Sequence, residues 1–484
     1  MVTGFDNITR EELITEYVAL QNQYLFLKAE LEQIKRLIYG SKSERFVAEV
    51  NPNQGALALD TEVVVAPEPT LQTVIYERVK KQSSLSVHPG RNPLPAHLPR
   101  LEIIIEPQGD VGGLKYIGNE ITEQLEYEPG KFFVNQFIRK KYVAANGGIL
   151  IGNLPSFPIE KGIPGTGLLA NIIIDKYADH LPLYRQMERF KRSGITLASS
   201  SLGEWVSAAC TMLTPLYDCL KLKVLSSDYL QVDETPIKVL DRDKKGKTHR
   251  GYYWVYRDVV NGLVLFDYRE GRGRDGPSEL LKNFKGHLQT DGYNAYESFD
   301  RGNIKLLHCM AHARRYFEKA LDNDRPRAEY LLSEIQKLYA VERTAREQAF
   351  SHEQRNALRQ ENSLPVLKEI HQWLKNHIIE VTPKSSIGQA IAYTLTRWEK
   401  LMIYTTDGKL EIDNNLVENS IRPIAIGRKN YLFAGSHASA QKAAMIYSLI
   451  GTCKLKGIDP FTFLKNIFEV LPDSKANKLH ELLP

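Results

Sequence analysis

The chain has 484 residues, 43% of them hydrophobic and 25% charged, with a formal net charge of +5. That length exceeds what one hydrophobic core serves, so two to four domains are expected, in the class of soluble globular proteins. No run of roughly twenty apolar residues marks a membrane helix, and the mildly basic balance permits a nucleic-acid partner without requiring one. The N-terminus, MVTGFDNITREEL, lacks the basic-then-apolar order of a signal peptide. Cys210, Cys219, Cys309 and Cys453 are scattered and form no CxxC pair, which fits a reducing cytoplasm.

The first predicted element is a coiled coil over 8–40. Leu13, Tyr17, Leu20, Tyr24, Leu27, Leu31, Ile34 and Ile38 alternate at spacings of four and three, an unbroken a/d seam. Thr9 and Glu12 make a capping box, Ile8 staples onto Leu13, and Gly40 closes the segment. So narrow a seam suits a partner helix better than a globular core, which predicts a homodimer; the alternative is one amphipathic helix lying on its own domain.

Residues 47–100 read as a linker, rich in prolines and turn residues, whose basic end (VKKQSSLSVHPGRNPLPAHLPR) either lies along phosphates or is simply solvated. Residues 101–152 alternate as short strands around the glycine pairs 112–113 and 147–148, a small β-rich module. Over 165–223 the period becomes helical. LYRQMERFKR, a Ser193-Gly194 turn and ITLASSSLGEWVSAAC make a helix-turn-helix outline, with Ser and Thr caps opening the second helix. In that reading Ser199, Ser200 and Ser201 lie where a recognition helix meets DNA; an ordinary helical hairpin is the alternative.

From 226 to 309 the pattern turns to strands: YLQVDETPIKVLD, then HRGYYWVYRD and LVLFDYREG joined at Asn261-Gly262, a capped helix at DGPSELLKNF, and GHLQTDGY and IKLLHC. Three antiparallel strands, a helix, a strand, a short helix and a strand follow the order of an RNase H-like domain with a mixed sheet. Residues 310–409 are almost wholly helical and read as an insertion; the core resumes over 410–435 at DNNLVENSIRP, and 436–484 form C-terminal helices. The expected fold is therefore a multidomain α/β protein with an RNase H-like core, a coiled coil, a β module and a helix-turn-helix-like region.

In such a sheet the first and fourth strands are neighbours. Asp233 sits in the first and Asp291 ends the fourth. Two buried carboxylates side by side repel unless a divalent cation lies between them. Glu418 is the third candidate, on a short helix that Pro423 is expected to stop, with Arg422 four residues on to orient it or hold a phosphate. Three carboxylates suit two Mg²⁺ (or Mn²⁺) ions roughly 3.5–4 Å apart, for in-line displacement at phosphorus. Arg314, Arg315, Arg428 and Lys429 are candidate phosphate contacts, against the alternative of a solvated charged face. His308, Cys309 and His312 lack a fourth ligand nearby, so a structural or DNA-side role is expected there rather than zinc.

Together DETP, QTDGY, the HCMAHARRYF block, NNLVENSIRPIAIGRKNYLFAGS, LIYGSKSERF and KYADHLPLYRQ resemble the IS sixty-six family of bacterial DDE transposases, in the same order, from about residue 10 to the C-terminus. The resemblance implies DNA cleavage and strand transfer on an insertion sequence, with Asp233, Asp291 and Glu418 as the catalytic, metal-binding triad. DNA ends and target, companion proteins of the element, and a cytoplasmic, nucleoid-associated setting are implied with it. Glu234 competes with Asp233 but should point to the opposite strand face. That family carries a small zinc module with paired cysteines; here GDVGGLKYIG and YVAANGGILIG keep the glycines and have no Cys, so no structural zinc is expected. Two rival readings remain: a nuclease of the same fold without strand transfer, and a catalytically silent DNA-binding or regulatory protein.

Overall fold

The computed structural model describes residues 130, 132–135, 137, 141–143, 149–151 and 155–484, apart from 161, 241–246, 274 and 301. The expected coiled coil with its seam from Leu13 to Ile38, the linker and most of the β module lie outside the described residues. The chain divides into two units, 51–152 and a larger one of 1–50 with 153–484. In the smaller unit, β1 (Lys141–Val143) pairs antiparallel with β2 (Ile149–Ile151), on either side of the glycine pair 147–148.

Three helices open the described part of the larger unit: α1 (Thr166–Tyr177), α2 (Leu183–Arg192) and α3 (Ser199–Leu225). The α2–α3 turn passes through Gly194 at φ +79, a left-handed conformation that favours glycine. Leu202, Val206, Ala209, Leu213, Leu216, Leu220 and Val224 recur every three or four residues and are all buried. That stripe makes α3 a 27-residue core helix rather than the short second helix of the sequence reading. The Ser and Thr caps are also corrected: the N-cap is Ala198, with no side-chain cap bond.

A five-stranded mixed sheet follows, built from β3 (Tyr229–Leu240), β4 (Thr248–Asp258), β5 (Leu263–Arg269), β6 (Gly286–Thr290) and β7 (Ile304–His308), in the order β5-β4-β3-β6-β7. The β3–β4 and β4–β5 pairs are antiparallel; β3–β6 and β6–β7 are parallel. The β4–β5 hairpin turns at Asn261-Gly262, where Gly262 has φ +63 and the Asn261 N–H donates to Asp258 Oδ1 at 3.0 Å. Strand β3 is buried on both faces from Tyr229 to Val232, then alternates, with Ile237 and Val239 buried and Pro236 and Lys238 exposed. Its first half is thus sandwiched, and its second half is covered on one face. Short helices α4 (Asp275–Leu280) and α5 (Asn294–Glu297) join the strands.

The segment after β7 is helical: α6 (Met310–Ala320), α7 (Arg325–Glu347), α8 (His352–Leu358), α9 (Leu364–His377), α10 (Ser386–Thr396) and α11 (Trp398–Met402). It has its own core, with Phe317, Leu331, Leu338, Leu374 and Trp398 packed together and joined to the sheet through Tyr229 and Leu307. Buried ion pairs lock it to the chain's return. Arg359 donates to Glu342 at 2.7 Å and to the carbonyls of Tyr404 and Leu410 at 2.6 and 2.8 Å. Arg355 bridges Glu342 and Glu411.

The return continues into α12 (Asn415–Tyr431), then α13 (His437–Leu455) and α14 (Pro460–Val470). Pro423 does not stop α12. A proline inside a helix removes one hydrogen bond, but Val417, Ile424 and Gly427 on either side of it are buried, and that packing carries the helix through. Helix α13 covers the sheet's edge: Ser448 Oγ and Thr452 Oγ1 accept from the N–H groups of Phe266 and Val264 in β5, at 2.8 and 3.2 Å.

Candidate active site

The site starts with a repeated tripeptide pattern, Gln231-Val232-Asp233 in β3 and Gln289-Thr290-Asp291 ending β6. In the parallel register Gln231 faces Gln289, and their side chains meet, Gln231 Nε2 donating to Gln289 Oε1 at 2.9 Å. Two residues on, with the strand period of two, Asp233 continues that face within β3, where its pairing with β6 ends, and Asp291 follows directly after the last residue of β6. The chain turns sharply after Asp291 at Gly292, φ +85, and Asp291 Oδ1 accepts from the Tyr293 N–H at 2.8 Å.

The two glutamines also hold the returning chain. Gln231 Nε2 donates to the Asp413 carbonyl at 2.8 Å, and its Oε1 accepts from the Val417 N–H at 3.1 Å. Gln289 Nε2 donates to the Glu411 carbonyl at 2.8 Å. Asn414 Nδ2 donates to the Val232 carbonyl at 2.9 Å, and Arg257 in β4 donates to the Leu416 carbonyl at 2.8 Å. These bonds dock the first turn of α12 onto β3 and bring Glu418 toward the aspartates.

Asp233 is half-buried. Burial, followed by the charges of Glu234, Asp291 and Glu418, holds its carboxyl well above the usual value of 3.8. Glu234 points to the other face, as the strand period requires. There it is bound by Arg272 at 2.7 Å and by the Tyr296 hydroxyl at 2.9 Å, and Trp254 packs edge-on against Tyr296.

Glu418 is paired with Arg315 of α6, Nη2 to Oε2 at 2.9 Å, with His312 Nε2 at 4.0 Å. The orienting arginine is therefore Arg315 and not Arg422, which is exposed one turn further along α12. No ion pair to Lys or Arg forms at Asp233 or Asp291 among the described residues, so this pocket is short of positive charge. An all-oxygen donor set of that kind suits a hard divalent cation such as Mg²⁺. With Glu418 on Arg315, no group of three His, Cys, Asp or Glu residues among those described is arranged to hold a metal ion. Asp233 and Asp291 fit a divalent cation in chemistry, while Glu418 is engaged by Arg315.

The remaining candidates separate. Arg314 is buried and reaches Glu318 at 3.3 Å, so it is not presented along a surface as a phosphate contact would be. Arg428 donates to the Pro236 carbonyl, and Lys429 is exposed. Ser200 is exposed and Ser201 half-buried at the start of α3, whose first residue is Ser199. His308 is buried with its pKa pushed down to about 4 by desolvation. The Cys309 thiol accepts from the Asn414 N–H at 3.2 Å, a structural contact. Sequence reasoning missed Gln231, Gln289, Arg257 and Asn414; the repeated Gln-x-Asp was the visible signal for the first two.

A family model described as Transposase IS66 family matches residues 161–442, more than half of the chain. The chain belongs to the Transposase IS66 family. Two further models match this transposase: IS66 C-terminal element over 448–484 and Transposase C of IS166 homeodomain over 26–103. "Uncharacterized protein y4jD" of Sinorhizobium fredii is 32% identical over 504 residues, covering 99% of this chain and 98% of the relative. "Uncharacterized protein y4hP" of the same organism is 32% identical over 489 residues, covering 95% and 88%. The family and the homeodomain-like region imply that the transposase binds DNA. That region includes the stretch read as a linker and lies outside the described residues. The family match spans Asp233, Asp291 and Glu418. No helix among the described residues is long and apolar enough to cross a membrane.

Proposed function

We propose that the transposase cuts DNA at the ends of its element and joins the cut ends to target DNA, through an RNase H-like core in which Asp233, Asp291 and Glu418 are the catalytic carboxylates. The observation that carries this reading is the nearness of three carboxylates: Asp233 inside β3, Asp291 directly after the adjacent parallel strand β6, and Glu418 on α12, the last two being among the charges that act on the Asp233 carboxyl. The strand order β5-β4-β3-β6-β7 also supports it, being the order expected of an RNase H-like sheet.

Asp233, Asp291 and Glu418 would hold divalent metal, Mg²⁺ or Mn²⁺. When bound, the metal supplies the positive charge that in-line displacement at phosphorus requires. The chain's own residues do the positioning. Gln231, Gln289 and Arg257 fix α12 against the sheet, so that the third carboxylate is held near Asp233. Arg315 neutralises Glu418 until metal is present. The transposase acts as a homo-oligomer, assembled through the seam between Leu13 and Ile38.

The test is metal-dependent nicking of end DNA by full-length protein carrying Asp233→Asn, Asp291→Asn or Glu418→Gln. Each is expected to lose cleavage and keep a cooperative thermal melt. Full activity in Glu418→Gln would overturn the assignment. A nuclease without strand transfer is distinguished by the products: nicked ends never joined to target DNA. A catalytically silent protein would nick nothing, and an intact set of three carboxylates argues against it.

A further inference from the structure

Along the same sheet face, beyond the carboxylates, lies a groove of about 660 Å³ that the cleavage reading does not use. It lies between α1, the start of α2, α3, the second half of β3, the end of α12 and the start of α13. Its position is set by the elements that carry the site. Ile237 lines it and lies four residues after Asp233 on the same face, roughly 13 Å away at about 3.3 Å per residue. Arg428 lines it too, ten residues after Glu418 on the same helix, roughly 15 Å along at about 1.5 Å per residue.

The lining has one sign of charge. Lys176, Arg428 and Lys442 are its charged side chains, and it contains no Asp or Glu. Lys176 is half-buried, and desolvation lowers its pKa. No carboxylate partner offsets that cost among the described residues. Two aromatic rings of the lining are exposed, Tyr184 at 60% and Phe433 at 42%, with the Arg185 guanidinium over the Tyr184 ring at 5.6 Å. Arg428 donates to the Pro236 carbonyl and Lys442 to the Ser207 hydroxyl, both neutral acceptors, so the positive charge of the groove is not cancelled by a carboxylate in its lining.

The backbone at the rim is strained toward this arrangement. Leu432, a bulky residue that disfavours φ above zero, has φ +65. It is held there because Ala434 is stitched to the end of β3: its N–H donates to the Lys238 carbonyl and its carbonyl accepts from the Leu240 N–H, both at 2.8 Å. The result is a fixed γ-turn, closed by the Phe433 N–H donating to the Tyr431 carbonyl at 2.7 Å, that leaves Phe433 exposed in the lining of the groove.

We infer that this groove binds a short length of single-stranded DNA, with bases stacked on Tyr184 and Phe433 and phosphates on Lys176, Arg428 and Lys442. Stacking platforms combined with a cationic track are how unpaired strands are held without sequence readout, and a duplex, whose bases are already stacked, gains nothing from the rings. The inference rests on the DNA-processing reading and adds to it the place where an unpaired strand leaves the carboxylates.

The test uses full-length protein in EDTA, so that binding is separated from cleavage, with a fluorescent oligo-dT and a duplex of equal length read by anisotropy. Tyr184→Ala with Phe433→Ala is expected to weaken oligo-dT binding by about tenfold or more, since stacking contributes roughly 1–3 kcal/mol per base, and to leave duplex binding unchanged. Replacing Lys176, Arg428 and Lys442 by Gln is expected to reduce the slope of log affinity against log salt by about 2, near 0.7 per phosphate. An oligo-dT carrying 5-iodouracil is expected to photocrosslink to the segment around Phe433. If the triple variant does not fold, the aromatic pair decides, because both rings are exposed. Unchanged oligo-dT affinity in the aromatic pair, in protein that still nicks end DNA with metal, overturns the groove and leaves the cleavage reading standing. Wild-type protein that neither binds oligo-dT nor nicks end DNA overturns both. A groove filled by the chain's own N-terminal residues or by a second copy would give unchanged affinity and no crosslink, and so counts against it.

Discussion

Gln231 and Gln289 face each other across the parallel strands β3 and β6, joined by a 2.9 Å hydrogen bond, and each precedes an aspartate by two residues. Both are fully buried. Together with the Tyr229 hydroxyl, which donates to Gln289, they grip the returning chain at Glu411, Asp413 and Val417. The pair couples the spacing of the aspartates to the placement of Glu418.

Replacing Gln231 by Leu leaves the Val417 N–H and the Asp413 carbonyl without their partner. The expected cost is about 1–3 kcal/mol per unsatisfied buried group, read as a lower midpoint in urea. Nicking should fall more than stability does, because α12 loses its register on β3. A Gln231→Leu protein with wild-type nicking and a wild-type midpoint would show that the glutamine pair positions nothing.

Asp233 gives a pH signature in metal-free protein. Its folded carboxyl is raised above the usual 3.8, first by burial and then by the neighbouring carboxylates. Such a group binds its proton more tightly when folded, so stability is full below 3.8 and falls as pH rises toward the raised value. Asp233→Asn removes the titration. The variant is therefore expected to melt higher than wild type at neutral pH in EDTA, with the gap closing below pH 3.8. Mg²⁺ should raise the wild-type melting temperature and leave that of the variant nearly unchanged. A wild type that melts higher than the variant at pH 7 in EDTA would contradict this account of the site.

Arg315 and a metal ion compete for Glu418. Arg315→Gln removes a partly exposed pair, so a stability loss of only about 0–1 kcal/mol is expected without metal. Mn²⁺ affinity, followed by calorimetry, should rise, because Glu418 no longer has to leave a guanidinium. Weaker Mn²⁺ binding in this variant would mean that Arg315 supports the cation site instead of closing it.

Deleting residues 1–40 tests the seam from Leu13 to Ile38. Light scattering is expected to show a lower oligomeric state for the shortened chain than for the full one. Identical masses would remove the coiled coil as the source of assembly.

Much of this protein is legible in its residue order. Period-two runs bounded by Asn-Gly and Gly turns mark β3 to β7, because alternation and left-handed turns are local properties. The long helical stretch after β7 is legible for the same reason, and so is the candidacy of Asp233, Asp291 and Glu418. Local pattern failed where packing over distance decides. Pro423 reads as a stop, yet α12 runs on because Ile424 and Gly427 are buried. Arg422 reads as the partner of Glu418 because it is one turn away, yet Arg315 is the one that meets it, carried there by α6 from the other end of the insertion. Arg314 and Arg315 are adjacent and look alike, and only the tertiary structure buries the first and turns the second to Glu418. The one-signed groove between α1, α3 and α12 has no trace in any single segment, since a surface assembled from distant segments exists only once their cores have packed.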